Sequence, residues 1–397
     1  LCLLPLLSCT HTPISEVQLS RIRSRIVMGL PDGCLEGAVG GAILGTTTTV
    51  LLAATGKLAG LSGIFDGVFS RASGRGWKVL FLSGFTVGGV VAGIVYPAGL
   101  DQTGAPSLSS LGYAVAGFLV GLGTRLGSGC TSGHGLCGLP RLSRRSIVAT
   151  LTFLTSGIAT ASVLAAWNDS ASGGAALVAH ETPVLAARYA SLAAAAVGTL
   201  LTLTKREERA QWKAHLVSFL CGGSFAGGLV LSGMTQRAKV VNFLALRRNS
   251  WDPSLMFVLG FGVMVGLVGF PLVTRNLGAP LCRLPAKAEE EQSLATGTPL
   301  AEKFEIPTGT ELDVPLVLGG WLFGIGWGVG GLCPGPAVVA ATFGLPGPAL
   351  AFMPSLVVGM RAAGPLKGAL SLPHPSWVTG DAVLLPNVTR VAPLIGT

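Results

Sequence analysis

GSGCTSGHGLCG (127–138) places five glycines, two cysteines and a histidine between two apolar stretches. Backbone this rich in glycine does not hold a regular helix well. Its neighbours on both sides are apolar enough to lie in lipid. Irregular backbone at membrane depth is tolerated only where protein buries it or where it lines a cavity. The composition of the chain agrees with that setting. Of its 397 residues, 50% are hydrophobic and 11% charged, with a mean hydropathy of +0.64. Soluble domains carry roughly 25% charged residues. The 58 glycines fall inside apolar runs, where small residues let helix backbones approach closely. The net charge of +9 comes without a basic stripe or interleaved aromatics, so it is no nucleic-acid footprint. Eight cysteines without paired spacing form no disulfide framework.

Nine apolar stretches have roughly spanning length: 35–54, 77–98, 110–128, 146–166, 184–204, 214–233, 254–274, 314–332 and 337–360. They predict an all-α membrane protein with about nine transmembrane segments, plus short re-entrant helices at the breaks. Residues 1–34 read as a leader or tail, in which LCLLPLLSCTH (1–11) suits the end of a targeting segment. Residues 35–166 form a first transmembrane repeat. Residues 167–213 are a linker with one segment. Residues 214–361 form a second repeat carrying a polar loop at 284–313, and 362–397 are a tail. The halves share an order of features. A Gly-rich segment stops at a small-polar break, ATGKLAGLSGIF (53–64) or SGMTQRAKVVNFL (232–244). A Gly-containing span follows. A Gly-rich approach to a cysteine closes each half, GLGTRLGSGCTSGHG (121–135) or GIGWGVGGLCPGPA (324–337). Four segments, a linker and four more deliver the second half from the opposite side, so the repeats are inverted.

Charge then orients the chain. Seven Lys and Arg fall on the side of the N-terminus and eighteen on the other, with Arg125 and Arg188 inside segments. The positive-inside rule puts the richer side, and the C-terminus, in the cytoplasm. A plasma membrane is the expected location. The sequons at Asn168 and Asn387 are short enough to arise by chance.

Broken helices aim free N–H groups inward, and these favour anions. Cys130 lies between Gly129 and Gly133 with Thr131, Ser132 and His134 as donors. Cys333 lies between Gly331 and Pro334, and Pro334 and Pro336 open the following helix. Two facing cysteine-bearing breaks suit a sulfur-containing anion. Packing is the alternative for each: cysteine is a common buried filler. Cys137 is a secondary candidate that also suits the packing of the next helix. Cys130, His134 and Cys137 form a C-x3-H-x2-C set, but no second cluster completes a metal site. Arg125 either attracts a dianion or snorkels at a helix end. Arg237 and Lys239 are vestibule charges or ordinary loop charges. Asn242 is placed to donate to a sulfonate oxygen, and Asp66 to cap a helix or pair with Arg71.

The motifs GCTSGHGLCG (129–138), GLGTRLGS (121–128), LAGLSGIFDG (58–67), GMTQRAKVVNFL (233–244) and GIGWGVGGLCPGPA (324–337) resemble the YeeE/YedE family of sulfur-compound transporters over about 35–361. The resemblance implies an inverted-repeat membrane protein that passes thiosulfate between loop cysteines, with Cys130 and Cys333 at the matching positions. One departure stands out. Such transporters can carry a third path cysteine in the first break, and ATGKLAGLSG has none. A cytoplasmic sulfur-carrier or sulfurtransferase protein is an expected partner. No cofactor, metal or nucleic acid is expected, and no Walker loop, dinucleotide fingerprint or catalytic triad is seen. The alternatives are a membrane sulfurtransferase or thiol-based sensor with Cys130 as nucleophile, or carriage of another solute with the cysteines as packing. A dianion entering against 100 mV costs roughly 4.6 kcal/mol, so uptake calls for downstream trapping or a co-ion.

Overall fold

The computed structural model describes residues 31, 33–69, 75–102, 108–170, 184–203, 211–246, 251–277, 280–282, 304–345 and 347–370. Most of the leader, most of the polar loop, Arg71 and the tail beyond 370, including Asn387, lie outside these residues. All regular structure among the described residues is helical: α1 (Cys34–Thr55), α2 (Leu61–Val68), α3 (Gly76–Val95), α4 (Ser110–Leu126), a π-helical segment (Thr131–Gly138), α5 (Arg144–Ser170), α6 (Val184–Leu203), α7 (Trp212–Leu231), α8 (Arg237–Leu244), α9 (Ser254–Asn276), α10 (Val314–Gly330), α11 (Pro334–Thr342) and α12 (Met353–Leu370). Among the described residues seven helical stretches are long and apolar enough to cross a membrane, and Ser110–Leu126 and Ala190–Leu203 are shorter apolar helices. The protein is an all-helical integral membrane protein.

The apolar run read at 337–360 is not one helix. Pro334–Thr342 ends at Gly344, whose φ of 69° is left-handed, and the chain restarts through a π-helical turn at Gly347–Phe352 into α12. Gly344 to Pro348 read GLPGP, which no helix carries through intact.

Packing depends on glycines at four-residue intervals. Along α1, a Cβ on Gly37 or Gly45 would stand 2.6 Å from the carbonyl oxygens of Ser254 and Gly262 in α9, and one on Gly41 would stand closer to that of Val258. These numbers rise together along both helices, so α1 and α9 run parallel. In the same way Gly84 and Gly88 of α3 meet Phe219 and Gly223 of α7. Gly117 and Gly121 of α4 meet Phe352 and Leu356, and Gly324 and Gly328 of α10 meet Phe153 and Gly157 of α5. Two further contacts run in opposite senses. Gly40 of α1 meets Ser232 while Leu44 meets Gly228, at the end of α7. Gly123 of α4 meets Phe323 while Gly326 of α10 meets Ala116. Thus α1 runs antiparallel to α7, and α4 to α10.

Three of the long helices end on a left-handed residue that starts a break: Gly56 (φ 72°), Gly233 (φ 71°) and Gly331 (φ 63°). The fourth break uses Ser128 (φ 61°), a conformation that costs a non-glycine residue roughly 1–2 kcal/mol. Lys367 Nζ donates to Ser128 Oγ at 2.6 Å. Two aromatic clusters, Phe81–Phe85–Phe225 and Phe153–Phe323–Trp327, lie in the core.

Candidate functional site: two cysteine breaks beside an apolar cavity

Cys130 and Cys333 occupy the same local position. Each is the residue before a short helical segment, with extended backbone (φ −128°, ψ −168° and φ −114°, ψ 171°) and no side-chain cap on the segment behind it. Each follows a left-handed residue by two positions, Ser128 or Gly331. A residue at this position usually carries an oxygen that accepts from the first turn. A cysteine leaves those N–H groups to other partners.

Three segment starts converge here. Leu61 N, at the head of α2, donates to Ser132 Oγ at 3.0 Å, and Ser132 Oγ lies 3.2 Å from Cys130 Sγ. Thr131 Oγ1 donates to Cys333 Sγ at 3.7 Å, across 202 residues of sequence. A Cβ on Gly335, in α11, would stand 2.5 Å from the Leu61 side chain. Cys130, Thr131, Ser132 and Cys333 therefore form one cluster. Both cysteines are buried, with 1% and 5% exposure.

The cluster borders a cavity of about 510 Å³. Its wall is almost wholly apolar and includes Phe225, Met234, Phe243, Leu259 and Met264. Two polar wall groups, Trp327 Nε1 and Thr150 Oγ1, are buried without a hydrogen-bond partner among the described residues. An unmet buried donor costs about 1–3 kcal/mol, so such groups ask for a solute or water as partner. Neither residue stands out in the sequence.

A second cleft of about 330 Å³ is lined by Gly60 and Gly133, the chain neighbours of Leu61 and Ser132, and by neither Cys130 nor Cys333. Lys57, Lys78, Arg141, Arg145, His134 and Glu305 are among its lining residues.

The remaining candidates lie apart from the cysteines. His134 is buried and held at both ring nitrogens, 3.1 Å from Ser146 Oγ and 3.0 Å from Gly127 O. It fixes the loop and leaves Cys130 without it as a base. Cys137 packs with Leu52, Phe270 and Val273. Arg125 pairs with Asp66 at 3.1 Å and is half-exposed. Arg237 is buried, donates to Gly330 O at 2.9 Å and Val329 O at 3.3 Å, and lies over the Tyr113 ring. It caps the C-terminal end of α10, where a cation meets the negative end of the helix. Asn242 sits in α8 beside Phe243, outside the lining of both cavities.

Residues 214–301 and 292–370 match the model of a family of unknown function, DUF6691. Two proteins of Xylella fastidiosa, each described as "Probable transporter", align with the chain. One, from strain Temecula1 / ATCC 700964, is 42% identical over 126 residues, 32% of this chain and 91% of the relative. The other, from strain 9a5c, is 37% identical over 144 residues, 36% of this chain and 85% of the relative. The chain belongs to this transporter family. Each aligned region covers about a third of this chain.

Proposed function

We propose that the protein carries thiosulfate or a related small sulfur-containing anion across the membrane, with Cys130 and Cys333 contacting its terminal sulfur in turn. The observation that carries this reading is the meeting of the two cysteine breaks, joined by Thr131, on the wall of an apolar cavity, with a basic cleft beginning at the neighbouring residues Gly60 and Gly133. A thiol donates weakly to an anionic sulfur and can face it without binding it covalently. Uncapped N–H groups at the segment starts favour the anionic end. The antiparallel run of α1 against α7 and of α4 against α10 supports two inverted repeats around this point. The basic cleft, by the positive-inside rule, faces the cytoplasm. The membrane is a plasma membrane in this reading, and the transported sulfur passes to a cytoplasmic sulfur-carrier or sulfurtransferase protein.

Labelled thiosulfate uptake into cells or vesicles tests it. Wild-type protein is expected to support uptake, and Cys130→Ala and Cys333→Ala to abolish it with protein still inserted. Uptake undiminished in both variants would overturn the proposal. A stable persulfide on Cys130 with release of a product would point to the sulfurtransferase instead.

Trp327→Phe supplies a finer test. A six-membered ring stays against Phe153 and Phe323, while the N–H donor and part of the indole's buried volume are lost. One neutral hydrogen bond is worth about 1 kcal/mol, so the uptake rate at low thiosulfate, compared at equal amounts of folded protein, should fall roughly fivefold. An unchanged rate would remove Trp327 from the solute path.

A further inference from the structure

The basic cleft has features that the cysteine path does not use. Lys57, Lys78, Arg141 and Arg145 line it, with Glu305 as the lining carboxylate. Residues 304–313 form a strap without regular structure, and Glu305, Pro307 and Gly309 among them line the cleft. The strap is tied down by the backbone at Gly56 and by three cations of the cleft. Glu305 N donates to Gly56 O at 2.9 Å, and the Glu305 carboxylate pairs with Lys57 Nζ. Arg141 Nη1 donates to Pro307 O at 3.2 Å. Arg145 donates to Glu311 O at 2.5 Å and pairs with Asp313 at 3.0 Å. Phe304 and Ile306 seat the strap on the apolar cluster of Leu52, Phe270 and Val273.

These cations have different duties. Arg141 and Arg145 fasten the strap. Lys57 is matched by Glu305. Lys78 has no carboxylate partner among the described residues and lies 5.8 Å from the centroid of the Trp77 ring. A recess with four cations and one carboxylate concentrates anions. Beside the larger Leu58, Ile64, Trp77 and His134, its lining has small groups: Ser128, Ser143 and glycines 60, 63 and 133. They leave room for a compact ligand with oxygen acceptors.

We propose that this cleft is a binding site for a small tetrahedral oxyanion, with Lys78 and Lys57 as its cationic ligands and Glu305 as the carboxylate the anion displaces from Lys57. The proposal deepens the transport reading and rests on it for its purpose: a solute leaving the cysteine cluster meets a charged station, and its arrival frees the strap at Glu305. Glu305 holds the place when the site is empty. Removing its charge therefore strengthens anion binding, and removing that of Lys78 weakens it.

The test is calorimetric titration of the detergent-purified full chain with inorganic sulfate and, separately, with thiosulfate. Both are expected to bind, more weakly as sodium chloride rises. Lys78→Gln, which touches no strap contact, should weaken binding about fivefold, the scale of one partly screened charge interaction. Glu305→Gln should tighten it by a similar factor. Both anions should still bind the Cys130→Ala/Cys333→Ala double variant. Absence of binding, equal affinity in wild type and both charge variants, or loss of binding with the two cysteines would overturn the site. If sulfate binding follows these expectations while thiosulfate uptake is absent, the transport reading fails and the site stands.

Discussion

Gly41→Leu should leave little folded protein in the membrane. A Cβ at position 41 would fall on the Val258 backbone carbonyl, inside any real contact distance. Backbone cannot rotate aside as a side chain can, so α1 and α9 would have to separate. The neighbours at Gly37 and Gly45 then lose their contacts with Ser254 and Gly262 as well. Nor can α1 retreat, because Gly40 on a different face packs against Ser232 and Gly228 of α7. Overpacking by a few methylenes costs typically 1–3 kcal/mol in a soluble core, and here it propagates along a whole helix pair. In lipid, close packing is itself the main force between helices. Gly227→Leu is the matched control, since a Cβ there meets nothing within 4 Å. The yield of monodisperse protein after membrane extraction should collapse for Gly41→Leu and hold for Gly227→Leu. Equal yields would show that the glycine contacts do not hold the helices together.

Arg237→Gln carries the second large effect. The guanidinium is 6% exposed and bonded to the carbonyls of Val329 and Gly330 at the end of α10. Those carbonyls have no helical donor of their own. Hydrogen bonds to a charged group are worth about 1.5–3 kcal/mol, and a buried carbonyl left without a donor costs about 1–3. We expect Gln, shorter and uncharged, to lower stability by about 2–4 kcal/mol, read as a shift in the denaturation midpoint in detergent. Lys should rescue only in part, for want of the planar fork that reaches two carbonyls. If instead Arg237→Gln keeps wild-type stability and loses only thiosulfate uptake, the residue serves the solute directly, as the sequence pattern by itself proposes.

The contrast at Arg237 shows where sequence reading reaches its limit. The sequence alone determined the fold class, because apolar length and charge scarcity describe single helices, each of which must satisfy its own backbone in lipid. It also determined where the helices break: glycine and proline act locally, and GSGCTSGHGLCG and GLCPGPA announce their turns without reference to the rest of the chain. The kinship of Cys130 and Cys333 was legible for the same reason, since each has its own glycine approach. Only the tertiary structure decided which side chains face a cavity and which face a helix end. Arg125, Arg237 and Asn242 share the breaks in sequence, yet Arg125 turns to Asp66 and Arg237 to the carbonyls of α10. Trp327 and Thr150 looked ordinary until their missing partners placed them on a cavity wall. The basic cleft joins residues from positions 57 to 309, a grouping that no local pattern records. Helix formation and breakage are decided within a few residues, whereas the lining of a path depends on how separate helices pack, and that packing is set by contacts of glycines with backbone more than a hundred residues away.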